Sequence, residues 1–152
     1  MSSITNDQEF RAALDALDES GRRFMAGCFV RSVLDLSRDT LVQRAVEVAL
    51  NPERSDPEIE QAYRAAKGYA AKTFTACGND TDWLAQADHF VAMAAAAALQ
   101  PSETTAKGKN LAWQAALEAR MAKNCLMIHS DQAGDHNEAQ QQYLLLEDYV
   151  AI

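Results

Sequence analysis

Apolar side chains recur along this chain at steps of three and four, the period of a helix that buries one face. The first such stretch is expected from Asp7 to Asp18, where Phe10, Ala13, Leu14 and Leu17 share a side. Glu19-Ser20-Gly21 interrupts it, and a second is expected from Arg22 to Leu36, with Phe24, Cys28, Val33 and Leu36 inward. Thr40-x-x-Gln43 has the form of a capping box. It opens a third helix that buries Val42, Ala45, Val46 and Ala49 and stops before Asn51-Pro52. Ser55-Asp56-Pro57-Glu58 opens a fourth, capped either by Ser55 with Glu58 or by Asp56 ahead of Pro57. Its stripe is Ile59, Tyr63, Ala66, Ala70, Phe74 and Cys77, with Gly78 as the left-handed residue past its end.

A fifth helix follows Asn79-Asp80-Thr81 and ends before Pro101, with Trp83, Leu84, Ala87, Phe90, Val91 and Ala94 on its apolar side. Ala94 to Ala98 carry no bulk, so this segment is expected to lie close against another helix. The sixth is expected from Thr104 to Ile128 and has two apolar stripes. One is Leu111, Ala115, Ala119, Ala122 and Leu126; the other is Trp113, Leu117, Met121, Cys125 and Ile128. Two such faces predict the central, most buried helix. A seventh begins near Asp135, where Asp135-x-x-Glu138 resembles a cap, and buries Ala139, Tyr143, Leu146 and Val150.

Short connections make successive helices antiparallel neighbours. The fold expected over residues 1–152 is therefore a single all-α domain of about seven antiparallel helices, with no sheet. Ala62-Tyr63-Arg64-Ala65-Ala66 and Ala112-Trp113-Gln114-Ala115-Ala116 match weakly, fifty residues apart. That leaves two architectures open, a compact bundle or a short stack of helical hairpins. Phe74, Phe90, Trp113, Leu117 and Tyr143 are expected among the most buried residues.

Composition narrows the function classes. Alanine supplies 29 of 152 residues, against 6 glycines and 3 prolines, which favours helix. The net charge is −8, so non-specific nucleic-acid binding, which needs clustered positive charge, is not expected. The longest apolar run, Phe90 to Leu99, is too short for a bilayer, and no membrane contact is expected. The N-terminus lacks the basic start and apolar run of a secretory signal. Cys28, Cys77 and Cys125 are odd in number and form no CxxC, so a reduced, cytoplasmic setting is expected. The charge is uneven: residues 73–152 hold 4 Lys/Arg against 10 Asp/Glu. After Ser130 come Asp131, Asp135, Glu138, Glu147 and Asp148 with no lysine or arginine. These carboxylates either keep a helix end soluble or attract a protein partner with a basic surface.

Candidate chemistry is sparse. The sequence has no Glu-x-x-His pair, GxGxxG, Walker A, HExxH or GxSxG. His89, His129 and His136 lie on or beside different helices, and Asp88 and His89 diverge by about 100° on a helix. No catalytic, cofactor-binding or metal-binding residue is assigned. His89 falls in register with Asp82, Gln86 and Met93, a mostly polar stripe expected at the surface or the rim of a groove. The cysteines each lie on an apolar stripe and are expected to act as small hydrophobes. Trp83, Trp113, Tyr63, Tyr69, Tyr143 and Tyr149 are core at helical spacing or the lining of a ligand pocket.

Arg22-Arg23-Phe24 through Val33-Leu34-Asp35-Leu36, and Ala62-Tyr63-Arg64-Ala65-Ala66 through Trp83-Leu84-Ala85-Gln86-Ala87-Asp88-His89-Phe90, carry a resemblance. Across roughly residues 20–128 the chain resembles the alanine-rich, all-helical immunity proteins encoded beside bacterial polymorphic toxins. The likeness lies in helix order and scattered aromatics. It implies a small cytoplasmic protein that binds and neutralises a toxin without catalysis, and it transfers no site residue. The expected function is thus a non-catalytic protein-binding domain of this immunity type. A helical scaffold or adaptor domain, and a small helical enzyme or metalloprotein, are the alternatives.

Overall fold

The computed structural model describes residues 3–73, 82–101, 108–130 and 138–151. Phe74, Cys77, Gly78, Thr104, Asp131, Asp135 and His136 lie outside the described residues. Seven α-helices run in the order α1 (Asp7–Asp15), α2 (Glu19–Arg31), α3 (Thr40–Leu50), α4 (Asp56–Thr73), α5 (Trp83–Leu99), α6 (Leu111–Ser130) and α7 (Glu138–Val150). A 3-10 turn at Leu34–Leu36 links α2 to α3, and no strand occurs among the described residues.

Side-chain caps fix most boundaries and explain where they depart from the expected ones. Asn6 accepts from Glu9 N at 2.9 Å, and the Glu9 carboxylate accepts from Thr5 N at 2.8 Å, a reciprocal start to α1. The first helix stops at Asp15 rather than Asp18, because Asp18 caps the next helix by accepting from Gly21 N at 2.7 Å. Glu19-Ser20-Gly21, expected as a break, is the first turn of α2. That helix ends at Arg31, not Leu36; its last turn gives way to the 3-10 turn, and the Ser32 hydroxyl lies 2.7 Å from Phe29 O. The cap of α3 is Asp39, which accepts from Leu41 N, rather than Thr40. Ser55 caps α4, with its Oγ 3.4 Å from Glu58 N and 3.2 Å from Glu58 Oε1. Asp82 accepts from Leu84 N and Ala85 N to begin α5. Asn110 accepts from Ala112 N and Trp113 N, so α6 starts at Leu111, later than the expected Thr104.

The central helix is α5, not α6. Twelve of its seventeen residues are buried, against six of twenty in α6. It packs on α2, α3, α4, α6 and the 3-10 turn, most extensively on α6. Both partners in that pairing are alanine-rich. Ala92 and Ala94 to Ala98 on α5, and Ala112, Ala115, Ala116, Ala119 and Ala122 on α6, are all buried. Small side chains let the two axes approach, as the alanine run predicted. Contacts of α2 with α5, α6 and α7, and of α3 with α5, join helices far apart in the chain. A stack of hairpins would confine each helix to its sequence neighbours, so the architecture is a bundle.

Bulk in the core comes from Phe10 and Leu14 of α1, Met25, Phe29 and Val30 of α2, Val42 and Val48 of α3, Leu99 of α5 and Leu146 of α7. Of the residues expected to be most buried, Tyr143 is in the core but at its edge, at 9% exposed. Phe90, Trp113 and Leu117 are only half-buried, because α5 and α6 meet through alanines and turn these larger side chains aside.

Candidate functional site

Polar groups gather in three places, and each joins helices. At the first, Asp88 and His89 of α5 are buried, with Gln86 a half-turn earlier. This corrects the expected solvent-facing stripe at Gln86 and His89, which packing of α4 and α6 on α5 covers, while its other members, Asp82 and Met93, are exposed. Asp88 Oδ2 accepts from the Tyr69 hydroxyl at 2.5 Å, and Oδ1 from Arg38 N at 3.3 Å. Burial, then the Asp88 carboxylate, pushes the Tyr69 phenol up to about 12, so it stays a donor. Thr73 Oγ1 lies 2.9 Å from Tyr69 O and 3.2 Å from His89 Nδ1. A hydroxyl has one proton, and the nearer carbonyl takes it. Burial also raises the Glu118 carboxyl on α6, with Gln114 and His89 pulling it down.

The second place clamps α1 to α6 and α7. Arg120 grips Asp7 with two nitrogens, at 3.0 and 2.9 Å, and donates from Nε to Gln142 Oε1 at 2.8 Å. Tyr143 adds a hydroxyl to Asp7 at 2.7 Å, and Gln142 donates to Ala116 O. The Arg120 guanidinium lies 5.6 Å from the Phe10 ring centre and 5.3 Å from that of Trp113. Phe10 in turn meets Phe29, Trp113 and Tyr143 with ring centres 5.2–6.1 Å apart. Thus Trp113 and Tyr143 belong to a packed aromatic cluster. On the outside, Asp7, Gln8, Arg11, Ala12, Asp15 and Trp113 line only an open, shallow cleft.

The third place bears on the acidic C-terminal third. Glu138 is 8% exposed and lies 2.6 Å from the Ser32 hydroxyl; burial raises its carboxyl, against the pull of Ser32 and Lys123. Glu147 accepts from Ile4 N at 2.5 Å and is half-buried. Only Asp148 of the three described carboxylates is exposed. The expected acidic surface therefore spends two of these charges on internal bonds.

Among the described residues the exposed large apolar side chains are Leu41, Met93, Met121, Ile128, Leu144 and Val150, and two of them lie on the outer side of α6. Its alanines face the core, while Met121 is 44% and Ile128 53% exposed, with Leu117 half-buried on the same side. The apolar stripe expected to be buried is thus partly a solvent-facing stripe. A signal for this lay in the sequence: Gln114 and Asn124 fall in register with Leu117, Met121 and Ile128, whereas the alanine stripe has no polar member. Cys28 and Cys125 are buried, and burial pushes the Cys28 thiol up, as for inert core cysteines. No group of three or more His, Cys, Asp or Glu fit to hold a metal occurs among the described residues. Nor, among them, is any helix long and apolar enough to cross a membrane. Compared with protein families, with curated proteins and with solved structures, the chain finds no match.

Proposed function

We propose that the chain is a non-catalytic protein-binding domain whose contact face is the outer side of α6. The observation that carries this reading is the division of that helix, with alanines in the core and Met121 and Ile128 about half exposed on the outer side. Met121 and Ile128 are already about half covered, so covering the rest would return about 1 kcal/mol each, roughly half the value for full burial. Methionine also adapts its shape to a partner. The net charge of −8 favours encounter with a basic protein. The resemblance to immunity proteins supplies the setting, in which the bound protein is a toxin and binding neutralises it. The test is affinity capture from the source cell with the natural chain and with Met121→Glu, followed by identification of the bound protein. A basic protein held by the natural chain and lost from a folded Met121→Glu variant supports the reading. Equal recovery by both removes this face from consideration.

A further inference from the structure

The link from α3 to α4 turns tightly. Asn51 Oδ1 accepts from Glu53 N at 2.9 Å, and Asn51 O accepts from Arg54 N at 3.3 Å. The turn brings Arg54 beside α2, where Arg23, Phe24, Asn51, Pro52, Arg54 and Ile59 line a recess of about 40 Å³. Phe24, Pro52 and Ile59 are its apolar walls. Among the described residues, the charged groups lining it are both arginines. Glu58 takes Arg54 Nη1 at 2.7 Å, and Glu19 stands 3.5 Å from Arg23 Nη2, but neither carboxylate lines the recess. Arg54 Nε is buried, and it is the buried side-chain nitrogen or oxygen that lacks a hydrogen-bond partner among the described residues. A buried donor left unmet costs the desolvation of that group, so this N–H calls for an acceptor.

We infer that the recess is a binding site for one carboxylate group. Arginine only donates, and the fork of its guanidinium matches the two oxygens of a carboxylate. Glu58 holds Arg54 from Nη1, which leaves the edge formed by Nε and Nη2 for the ligand. Arg23 adds a second positive charge. The Asn51 amide oxygen is engaged by Glu53 N, so its nitrogen is the group left to donate. Size selects among oxyanions. The recess of about 40 Å³ holds roughly three water-sized positions, which suits the three heavy atoms of a carboxylate better than the five of a phosphate. The carboxylate belongs either to a small free acid or to an acidic side chain of a peptide, with its carbon chain against Phe24 and Ile59. This site lies apart from the outer side of α6 and does not depend on it.

The test is an NMR titration of the full chain that follows the Arg54 Nε–H signal and the backbone amides around it. Acetate, phosphate and chloride are compared at equal ionic strength and at about pH 6, where acetate and phosphate are both mainly monoanions. Acetate should shift Arg54 Nε–H saturably with a Kd of about 1–10 mM, within reach of so small a ligand. Phosphate should bind more weakly, and chloride should give no saturable shift. A blocked glutamate residue that binds more tightly than acetate, with blocked glutamine silent, makes the ligand an acidic side chain; acetate binding as tightly as blocked glutamate makes it a small free acid. Arg54→Lys keeps a charge beside Glu58 but loses the fork. It should weaken acetate binding by about tenfold or more, the loss of one charge-assisted hydrogen bond, as read from the Asn51 amide. Arg23→Gln should also weaken it, whereas Arg44→Gln, at an exposed ion pair on α3, should not. Helicity should be unchanged in all three. No saturable shift by about 100 mM acetate, tenfold past the expected range, overturns the site. Phosphate binding as tightly as acetate overturns the carboxylate assignment, and full-strength binding by both Arg54→Lys and Arg23→Gln overturns the residues.

Discussion

Removing the Asp7 carboxylate charge should show how α1 is held. In Asp7→Asn the two charge-assisted bonds from Arg120 are replaced by neutral ones, and the Tyr143 hydroxyl loses a charged acceptor. Charged hydrogen bonds contribute about 1.5–3 kcal/mol when shielded. The Asp7 side chain is 47% exposed and that of Arg120 only 16%, so solvent screening discounts this to about 1–2 kcal/mol for the substitution. Arg120→Met should cost more, about 2–4 kcal/mol, because it also strands the amide oxygen of fully buried Gln142. The double variant should be more stable than the sum of the two losses implies, by about 1 kcal/mol. Urea unfolding at pH 7 reads all three, and the Asp7→Asn midpoint should fall by roughly 0.5–1 M. The Arg120 bonds hold the Asp7 carboxyl below its ordinary value. The carboxylate's contribution is therefore complete above the ordinary aspartate range and fades as pH falls through that range toward the depressed folded value. The natural chain and Asp7→Asn should accordingly converge in stability at low pH. Strictly additive losses, or a gap that persists unchanged into acid, would refute the clamp.

Four further outcomes follow from the same contacts. Phe10→Ala should cost about 3–5 kcal/mol in urea unfolding, since Phe10 is fully buried among three other rings. Tyr69→Phe should cost about 1–3 kcal/mol by leaving buried Asp88 without its closest donor; in the natural chain, spectrophotometric titration should find a tyrosine ionising only near pH 12. Glu138 has a raised carboxyl, so its ionisation opposes folding as pH climbs through and above the ordinary glutamate range. Glu138→Gln should then gain stability relative to the natural chain with rising pH and lose that gain in acid, as thermal unfolding across pH would record. Ala119→Leu should destabilise by about 1–3 kcal/mol through overpacking of the α5–α6 contact.

Much of the helical order was legible because caps and apolar spacing are local. Val42, Ala45, Val46 and Ala49 were expected inward on α3 and are buried there. What local pattern could not rank was competition between neighbours. Asp18 has a capping side chain, and its use by α2 shortened α1. Leu117 and Met121 follow helical spacing as well as the alanines do, but close α5–α6 packing selects the alanines for the core. His89 and Asp88 look like surface residues by polarity alone; Tyr69 and Thr73, sixteen to nineteen positions away, supply the partners that permit burial. Glu138 is hidden by Ser32 from 106 positions earlier, a pairing with no trace in spacing.

The measurement that bears most directly on the proposed function is site-specific photo-crosslinking from the outer side of α6 in the source cell. A photoreactive residue placed at Met121, and separately at Leu144 of α7, which is somewhat more exposed, as reference, keeps each chain folded because both positions reach solvent. A discrete protein adduct is expected from position 121 and little or none from position 144. An adduct from position 144 alone, or none from position 121 while the chain still captures its partner, would contradict it.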